Sequence, residues 1–358
     1  MKKILMTGGG SAGHVTPNIA LFPALKEAGF EIHYAGLADG IERDLIEAQE
    51  GVTFHAIESG KLRRYLSLKN LLSPFKVIKG VGQAKRLVKE LKPDVVFSKG
   101  GFVSVPVVMA ASKKCPVVCH ESDYTPGLAN KIATRFADTI CVTFEDTMTH
   151  ASKRLAKKMV HTGTPIRPEL YRGDRSRGLA AMGFDGSKPV LLVMGGSLGA
   201  AALNDGIRAA LPKLTQRFDV VHLCGKGKVD GGISAPGYVQ FEYVGKELPD
   251  MLAATSVVVS RAGANAVFEF LSLGIPALLV PLPLEASRGD QILNADYVAR
   301  KGYAIKLEQK DITPERLCEL TETLYINRAA MAELMKSDPL LDGTEEVLNE
   351  IFKAAGLK

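Results

Sequence analysis

A histidine follows a glycine-rich turn near the start of the chain, where residues 8–14 read Gly-Gly-Gly-Ser-Ala-Gly-His. The apolar run 4–6 precedes this turn, and a helix is predicted over 18–27 with Thr16 as its N-cap and Pro17 in its first turn. The backbone N–H groups of such a turn and the positive end of the helix dipole favour a bound anion. His14 is therefore a candidate general base beside an anion site, since histidine titrates near neutral pH. The alternative is a histidine bonded to local backbone.

The same pattern recurs about halfway along the chain. Residues 190–194 are apolar, residues 195–199 read Gly-Gly-Ser-Leu-Gly, and a helix is predicted over 200–214. Two strand–glycine–helix units predict two Rossmann-like domains that face one another. Residues 195–199 also fit the serine turn of α/β-hydrolases, which requires an acid and then a histidine further along. His222 is the only histidine after Ser197 and comes too early, so we interpret Ser197 as a phosphate contact.

Other predicted strands also end in glycine or polar residues. Strand 94–97 leads into Gly100-Gly101-Phe102, and strand 116–119 delivers His120 and Glu121 into a loop, where we interpret them as loop-shaping residues. Strand 257–260 leads into Arg261-Ala262-Gly263 and a helix predicted over 266–273. Alternating strands and helices predict parallel sheets, whose ligands bind beyond the carboxyl ends of the strands. These strand ends are therefore the expected binding edges.

A carboxylate that could hold a ribose is expected in the second half of the chain. A nicotinamide dehydrogenase would place an acid at the end of its second strand, but that strand ends in Ala35-Gly36-Leu37 and Asp39 comes late. Glu269, one turn into the helix 266–273, can accept hydrogen bonds from two sugar hydroxyls. Its apolar neighbours Phe268 and Phe270 argue against the alternative of a solvated surface acid.

The length and composition limit the class of protein. A chain of 358 residues exceeds the usual size of one core, so we expect two domains, over residues 1–162 and 163–343, with a linker at 163–168. Five cysteines without a C-x-x-C pair favour a reduced compartment and no zinc site. No apolar run approaches the roughly 20 residues that span a bilayer. In the absence of a metal motif, backbone dipoles with Arg167 or Arg261 would have to stabilise a departing nucleotide diphosphate.

The net charge of +6 is concentrated in one stretch, residues 61–92, where many lysines and arginines face a single acid, Glu90. Leucine, valine and isoleucine alternate with these basic residues. Such a stretch is typical of an amphipathic helix that docks on an anionic membrane surface, or of an ordinary helix with a solvated basic face. Nucleic acid is disfavoured, because Tyr65 and Phe75 are the only aromatic residues available for stacking.

The motifs occur in the order found in a known family. They are residues 8–17, 100–106, 120–123, 195–200, 261–264 with Glu269, and Asp290-Gln291. Together they resemble the MurG family, the N-acetylglucosaminyltransferases of bacterial peptidoglycan synthesis, over essentially the whole chain. The resemblance implies a GT-B fold: two Rossmann-like parallel-sheet domains with an interdomain cleft, and a last helix from about residue 344 that crosses back to the first domain.

The resemblance also implies an activity. The donor would be UDP-N-acetylglucosamine (UDP-GlcNAc) and the acceptor undecaprenyl-diphosphate-MurNAc-pentapeptide (lipid I). The acceptor 4-hydroxyl would displace UDP with inversion, without metal or cofactor, to give the β-1,4-linked lipid II. The protein would be peripheral on the cytoplasmic side of the cell membrane, with the basic stretch against the lipid surface. A nucleotide-sugar-binding protein without turnover, and a relative that acts on another glycolipid, are the alternatives.

Site residues follow from the same resemblance, with His14 at the reacting centre as candidate base. The donor is expected against Ser11, Ala12, Gly13, Asp123, Arg167, Ser197, Val244, Arg261, Ala264, Asn265, Glu269 and Gln291. The acceptor is expected against Gly10, Gly101, Phe102, His120 and Glu121.

Two residues depart from the family pattern. Phe102 stands where the family usually has tyrosine, so no phenol is available there. Asp123 stands where the family usually has asparagine, which places an added carboxylate beside two expected diphosphates. That charge is unfavourable unless Lys99, Lys131 or another cation compensates it.

Overall fold

The computed structural model describes residues 1–60, 73–196 and 200–357. The chain divides into two compact units: unit 1 comprises Met1–Arg167 and Asp342–Lys358, and unit 2 comprises Pro168–Leu341. The first crossing between the units lies inside the predicted linker 163–168, a few residues after the predicted domain boundary at 162.

Unit 1 is built on a parallel sheet whose seven described strands lie in the order β3-β2-β1-β4-β5-β6-β7. Both faces of such a sheet are buried, which explains why its strands read as continuous apolar runs. Along the first strand, Ile4 and Met6 face one core while Leu5 faces the other. The strands are β1 Lys2–Thr7, β2 Phe30–Gly36, β3 Val52–Ala56, β4 Val95–Ser98, β5 Val117–Glu121, β6 Thr139–Val142 and β7 Met159–His161.

Unit 2 has a second parallel sheet, with six described strands in the order β10-β9-β8-β11-β12-β13. Its central strands are again valine- and leucine-rich and buried. The strands are β8 Val190–Met194, β9 Asp219–Leu223, β10 Tyr238–Phe241, β11 Thr255–Ser260, β12 Ala277–Leu279 and β13 Ala304–Lys306.

Helices connect the strands of both sheets. Those described before the first crossing are α1 Thr16–Glu27, α2 Ile41–Glu47, α3 Ser73–Leu91, α4 Ser104–Ala111, α5 Leu128–Ala133, α6 Asp146–Thr149 and α7 Lys153–Ala156. Those of unit 2 are α8 Arg175–Met182, α9 Ala201–Arg217, α10 Leu248–Ala254, α11 Ala264–Ser272, α12 Asp290–Arg300 and α13 Pro314–Lys336. Short 3-10 turns occupy Ala12–His14, Pro168–Arg172, Gln309–Asp311 and Pro339–Leu341. In the ranges that the structure describes, no helix is both long and apolar enough to cross a bilayer.

The last helix, α14 (Thr344–Ala354), follows unit 2 in sequence but packs in unit 1. Ile351 is fully buried in the core that contains Ile4 and Met6. The ring of Phe352 stacks on that of Phe30, with centroids 6.0 Å apart. The chain that returns from unit 2 therefore closes one face of the first sheet.

In each sheet the chain order reverses once, between neighbouring strands. The reversal lies between β1 and β4 in unit 1 and between β8 and β11 in unit 2. Open parallel sheets bind ligands beyond the carboxyl ends of the strands at such a reversal, because the two connecting loops diverge there and leave a crevice. Both predicted glycine turns, after β1 and after β8, follow strands at these positions.

Several element boundaries differ from the sequence-based predictions. The N-cap of α1 is Val15, and Thr16 is already helical with its hydroxyl donating to the Ala12 carbonyl at 3.2 Å, so the Thr16 cap was wrong. His120 and Glu121 are the last residues of β5, not loop residues. The helix α9 runs further than predicted, to Arg217, and α11 begins earlier, at Ala264. Of the basic stretch, residues 61–72 lie outside the described residues, and α3 begins after them.

Candidate functional site

Two glycine turns meet at the carboxyl edge of the first sheet, one after β1 and one after β4. The Gly9 N–H donates to the Gly100 carbonyl at 3.3 Å. Gly101 has a φ of +84°, and a Cβ there would lie 2.2 Å from the Gly9 carbonyl oxygen. A side chain at residue 101 is therefore excluded by both backbone conformation and contact. The two turns form one backbone surface.

Two buried polar side chains, Tyr34 and Asn18, make hydrogen bonds to the backbone of the first turn. The Tyr34 hydroxyl donates to the Gly8 carbonyl at 2.7 Å and accepts from Nδ2 of Asn18 at 3.0 Å. The same amide lies 3.2 Å from the His14 carbonyl. Burial holds the pKa of Tyr34 well above its ordinary value, so the phenol keeps its proton and remains a donor. Tyr34 and Asn18 thus fix the two ends of the turn.

A carboxylate supports the same turn from the side. Glu42 on α2 is fully buried and accepts from the Gly10 N–H at 3.1 Å and from the Leu37 N–H at 3.0 Å. A Cβ at Gly9 would lie 2.4 Å from Oε1 of Glu42, so a side chain at residue 9 would displace the carboxylate. None of Tyr34, Asn18 and Glu42 was expected from the sequence.

His14 lies at the end of the 3-10 turn and is half-buried. Its Nδ1 is 3.2 Å from the backbone carbonyl oxygen of Lys99. A carbonyl can only accept, so in the neutral imidazole the proton must be on Nδ1 and Nε2 must be the basic nitrogen. This arrangement orients the ring through the chain that follows β4. It is the geometry that a general base at Nε2 requires.

A buried lysine joins the strand ends beside this histidine. The Nζ of Lys99 lies 2.6 Å from Nδ1 of His120, 2.7 Å from the Ser122 hydroxyl and 3.2 Å from the Thr164 hydroxyl. Burial lowers the pKa of Lys99 to about 7, while Glu121 and Asp123 act in the opposite direction. Nε2 of His120 lies 2.8 Å from the Gly163 carbonyl oxygen, so His120 donates there and accepts from Lys99. Burial and Lys99 hold the pKa of His120 well below its ordinary value, and it is neutral.

Glu121 is the carboxylate at the end of β5. It accepts from Nδ2 of Asn130 at 2.8 Å, from the Asp123 N–H at 3.0 Å and from the Gly127 N–H at 3.3 Å. Burial, with the nearby Asp123, raises the pKa of Glu121 to about 7. His120 and Glu121 were predicted to shape a loop, but both lie within β5, so that placement was wrong. Their side chains bond the end of β5 to Gly163, which follows β7, and to Asn130 on α5. Asp123 and Phe102 are half-buried at the same edge.

At the carboxyl edge of the second sheet lies Arg261, one of the residues predicted to contact a diphosphate. The hydroxyl of Ser260 donates to the Met194 carbonyl at 2.9 Å, which joins the ends of β11 and β8. The Arg261 side chain is buried and donates to the carbonyls of Val280 and Pro281 at 3.0 and 3.3 Å and to Gln309 at 2.6 Å. Arg261 therefore holds the segments that follow β12 and β13, and its expected contact with a diphosphate stays a prediction.

The helix α11 begins shortly after the end of β11, and the N–H groups of its first turn have no partner within the helix itself. Nδ2 of Asn294 donates to the Ala262 carbonyl at 3.1 Å and holds this turn. Asn265 and Glu269 are four residues apart on α11, so they share one face of the helix, and both are half-buried. A ribose beside that face could reach Glu269.

The remaining predicted residues have varied positions. Gln291 lies in the first turn of α12 and accepts a hydrogen bond from the Leu282 N–H at 3.1 Å. Val244 is buried. Arg167 is the last residue of the first segment of unit 1 and is half-buried. Ser197 lies outside the described residues, between Gly196 and Ala200. Among the described side chains no cluster of histidine, cysteine, aspartate or glutamate could hold a metal ion.

Two parallel-sheet domains, each with glycine turns at its strand reversal, and an oriented histidine beside one of them have the architecture of a GT-B glycosyltransferase. Residues 4–142 match the glycosyltransferase family 28 N-terminal domain, and residues 190–348 match the glycosyltransferase family 28 C-terminal domain. The chain belongs to glycosyltransferase family 28.

Relatives with assigned names cover the full chain. A protein of Lachnospira eligens, 52% identical over 353 residues that make up 98% of this chain and 99% of the relative, is named UDP-N-acetylglucosamine--N-acetylmuramyl-(pentapeptide) pyrophosphoryl-undecaprenol N-acetylglucosamine transferase. A Bacillus anthracis protein with the same name, numbered 2, is 51% identical over 99% of this chain and 100% of its own length. The crystal structure of Acinetobacter baumannii MurG matches with a TM-score of 0.75 at 28% identity, over 99% of this chain and 100% of that one.

The depressed pKa of Lys99 predicts a pH dependence of folding stability. The folded-state pKa is about 7, below the ordinary lysine value of about 10.4, so between these values the unfolded chain binds more protons. The contribution of Lys99 to the free energy of unfolding should therefore rise as the pH rises through this window. In urea unfolding, the free energy of unfolding of the wild type minus that of Lys99→Met should increase with increasing pH. The control Lys131→Met, at an exposed position of α5, should show a constant difference; a constant difference for Lys99→Met would contradict the assignment.

Proposed function

We propose that this chain transfers GlcNAc from UDP-GlcNAc to the MurNAc 4-hydroxyl of lipid I and so forms lipid II. The observation that carries the proposal is the 52% identity, over nearly the full length of both chains, to a relative named for this activity. The oriented His14 at the carboxyl edge of the first sheet supports a transferase rather than a binding protein without turnover.

The chemistry needs a base on one side and a stabilised leaving group on the other. In the proposed step Nε2 of His14 takes the proton of the acceptor 4-hydroxyl as that oxygen attacks the anomeric carbon of GlcNAc. The bond from that carbon to UDP breaks, the electron pair leaves with the diphosphate, and the new β-1,4 linkage is inverted. Backbone N–H groups at the glycine turns and at the start of α11 would stabilise the leaving diphosphate without a metal.

The substrates divide between the units in this proposal. The ribose of UDP lies against Glu269, with Ala264, Asn265 and Val244 near the nucleoside and Gln291 on the sugar hydroxyls. The acceptor diphosphate lies against the backbone surface of Gly10, Gly101 and Phe102. Fixed N–H dipoles suit a diphosphate because they need no reorganisation when negative charge develops.

The direct test incubates the purified chain with UDP-GlcNAc and lipid I, with and without EDTA, and measures the disaccharide product and released UDP. Transfer that continues in EDTA is the expected result. UDP-GlcNAc binding without transfer would favour the nucleotide-sugar-binding alternative, and transfer abolished by EDTA and restored by Mg²⁺ would contradict the metal-independent step.

Replacement of the candidate base should affect turnover rather than donor binding. His14→Ala should lower kcat by roughly 10²–10⁴-fold, because the proton of the attacking hydroxyl loses its acceptor. The dissociation constant for UDP should change little. His150→Ala, an exposed histidine on the same unit, is the matched control. Normal turnover of His14→Ala would remove His14 from the chemistry.

Replacement of Glu269, the candidate ribose contact, should affect UDP binding rather than turnover. Glu269→Ala should weaken UDP binding by about 10- to 100-fold, since two hydroxyls lose a charged acceptor worth about 1.5–3 kcal/mol. Titration calorimetry with UDP measures this directly. Glu333→Ala, at an exposed helix position of the same unit, should bind UDP as the wild type does. Unchanged affinity of Glu269→Ala would argue against the ribose contact.

The proposal includes a peripheral position on the cytoplasmic face of the cell membrane. On α3, Ala84 and Val88 are buried and the helix packs on α4, while Ile78, Lys85, Arg86 and Lys89 are exposed on the other side. Ile78 is 69% exposed, an unusual placement for an isoleucine in a helix that already buries another face. A basic face with an exposed apolar residue suits the surface of an anionic bilayer.

Charge reversal on this face should release the protein from vesicles. The triple variant Lys85→Glu, Arg86→Glu, Lys89→Glu should lose flotation with anionic phospholipid vesicles, because each basic residue near the surface contributes about 1 kcal/mol. The matched triple variant Lys226→Glu, Lys228→Glu, Lys246→Glu in unit 2 changes the net charge equally and should still float. Persistent binding of the α3 variant would favour the solvated-face alternative.

A further inference from the structure

Lys99 is a fully buried charged residue that the proposed transfer step does not use. Its side chain joins the ends of three strands: Lys99 itself follows β4, His120 lies in the last part of β5 with Ser122 just beyond the strand, and Thr164 follows β7. Its backbone carbonyl faces Nδ1 of His14. One residue therefore connects the orientation of the candidate base with the conformation of the segment after β5.

The contacts of Nζ fit an ammonium group. An ammonium has three N–H donors, and Nζ lies within 3.2 Å of three atoms that can accept. Nδ1 of His120 must accept, because Nε2 donates to the Gly163 carbonyl at 2.8 Å. The hydroxyls of Ser122 and Thr164 can accept as well. Every donor of the charged form has a partner.

The charge of this ammonium has a specific counterpart. A buried cation without compensation costs several kcal/mol. Of the groups that act on Lys99, His120 is neutral, the pKa of the Cys141 thiol is raised by burial to about 12, and Glu121 and Asp123 favour the charged lysine. Glu121 acts more strongly on Lys99 than Asp123 does, but burial raises the pKa of Glu121 to about 7, so its own charge is partly lost near neutral pH. Asp123 is half-buried at the edge where a diphosphate must approach.

We propose that Lys99 is a positioning residue whose ammonium fixes the segment from His120 to Asp123 and compensates the charge of Asp123 at the acceptor edge. The inference rests on the proposed transferase function, because its measure is the rate of GlcNAc transfer.

The test compares three variants by steady-state kinetics with UDP-GlcNAc and lipid I. Lys99→Met keeps the length of the side chain and removes the charge, and it should lower kcat by about tenfold or more with KM for UDP-GlcNAc little changed. Adding Asp123→Asn should restore most of the loss, since the anion that needed compensation is gone. Lys131→Met should stay within about twofold of the wild type. A merely structural lysine predicts no rescue by Asp123→Asn.

The pH profile gives an independent readout. The wild type should lose kcat on the alkaline side as Lys99 releases its proton, and this alkaline limb should be absent from Lys99→Met and from the double variant. Asp123→Asn alone should also lack it, which keeps the test decisive where Lys99→Met does not fold. Lys99→Met at wild-type kcat, a folded double variant without rescue, or an alkaline limb retained in Asp123→Asn would each overturn the assignment. A wild type that transfers no GlcNAc contradicts the proposed function instead.

Discussion

The close approach of two backbone turns governs the arrangement of unit 1. Gly9 donates to the Gly100 carbonyl, and a Cβ at Gly101 would collide with Gly9. Because this surface consists of backbone on both sides, no side chain lies within it. The side chains that hold it in place must therefore contact it from the protein interior. Tyr34 on β2 and Glu42 on α2 do so, and each of these buried side chains makes a hydrogen bond to the first turn. A buried unpaired acceptor costs about 1–3 kcal/mol, so each of these bonds is strongly constrained.

Much of the fold could be predicted from the chain because its pattern is regular. Parallel strands buried on both faces read as short valine-rich runs, as at β4, β8 and β11, and glycine turns mark their carboxyl ends. The elements that were not predicted lack such a regular sequence pattern. The helix α4 is apolar on all sides and contains Pro106, so its sequence has no helical period, and β13 has three residues. Thr16 has the residue type of a cap, but the preceding 3-10 turn moves the cap to Val15.

The glycine turns and His14 were identified from the sequence, but the groups that support them were not. Glu42 lies in a charged run that is typical of a surface helix, and Asn18 and Tyr34 are isolated polar residues in apolar segments. Their partners are distant in sequence, and periodicity predicts which face a residue occupies but not which atom it meets. Lys99 was considered only as a cation that could offset Asp123. Its contact with His120 depends on the relative positions of β4 and β5, which no local pattern specifies.

The two units support their predicted sites in different ways. In unit 1 the turn is held by buried polar side chains, and the imidazole of His14 is oriented by the backbone carbonyl of Lys99. In unit 2 the start of α11 follows a turn held by Asn294, and the carboxylate of Glu269 lies further along the same helix. A proton acceptor must be oriented within a few tenths of an ångström, which requires a rigid, buried support, whereas a ribose needs a carboxylate that two hydroxyls can approach. The distribution of buried polar bonds between the units therefore agrees with the proposed division, in which unit 1 orients the base and unit 2 binds the nucleoside.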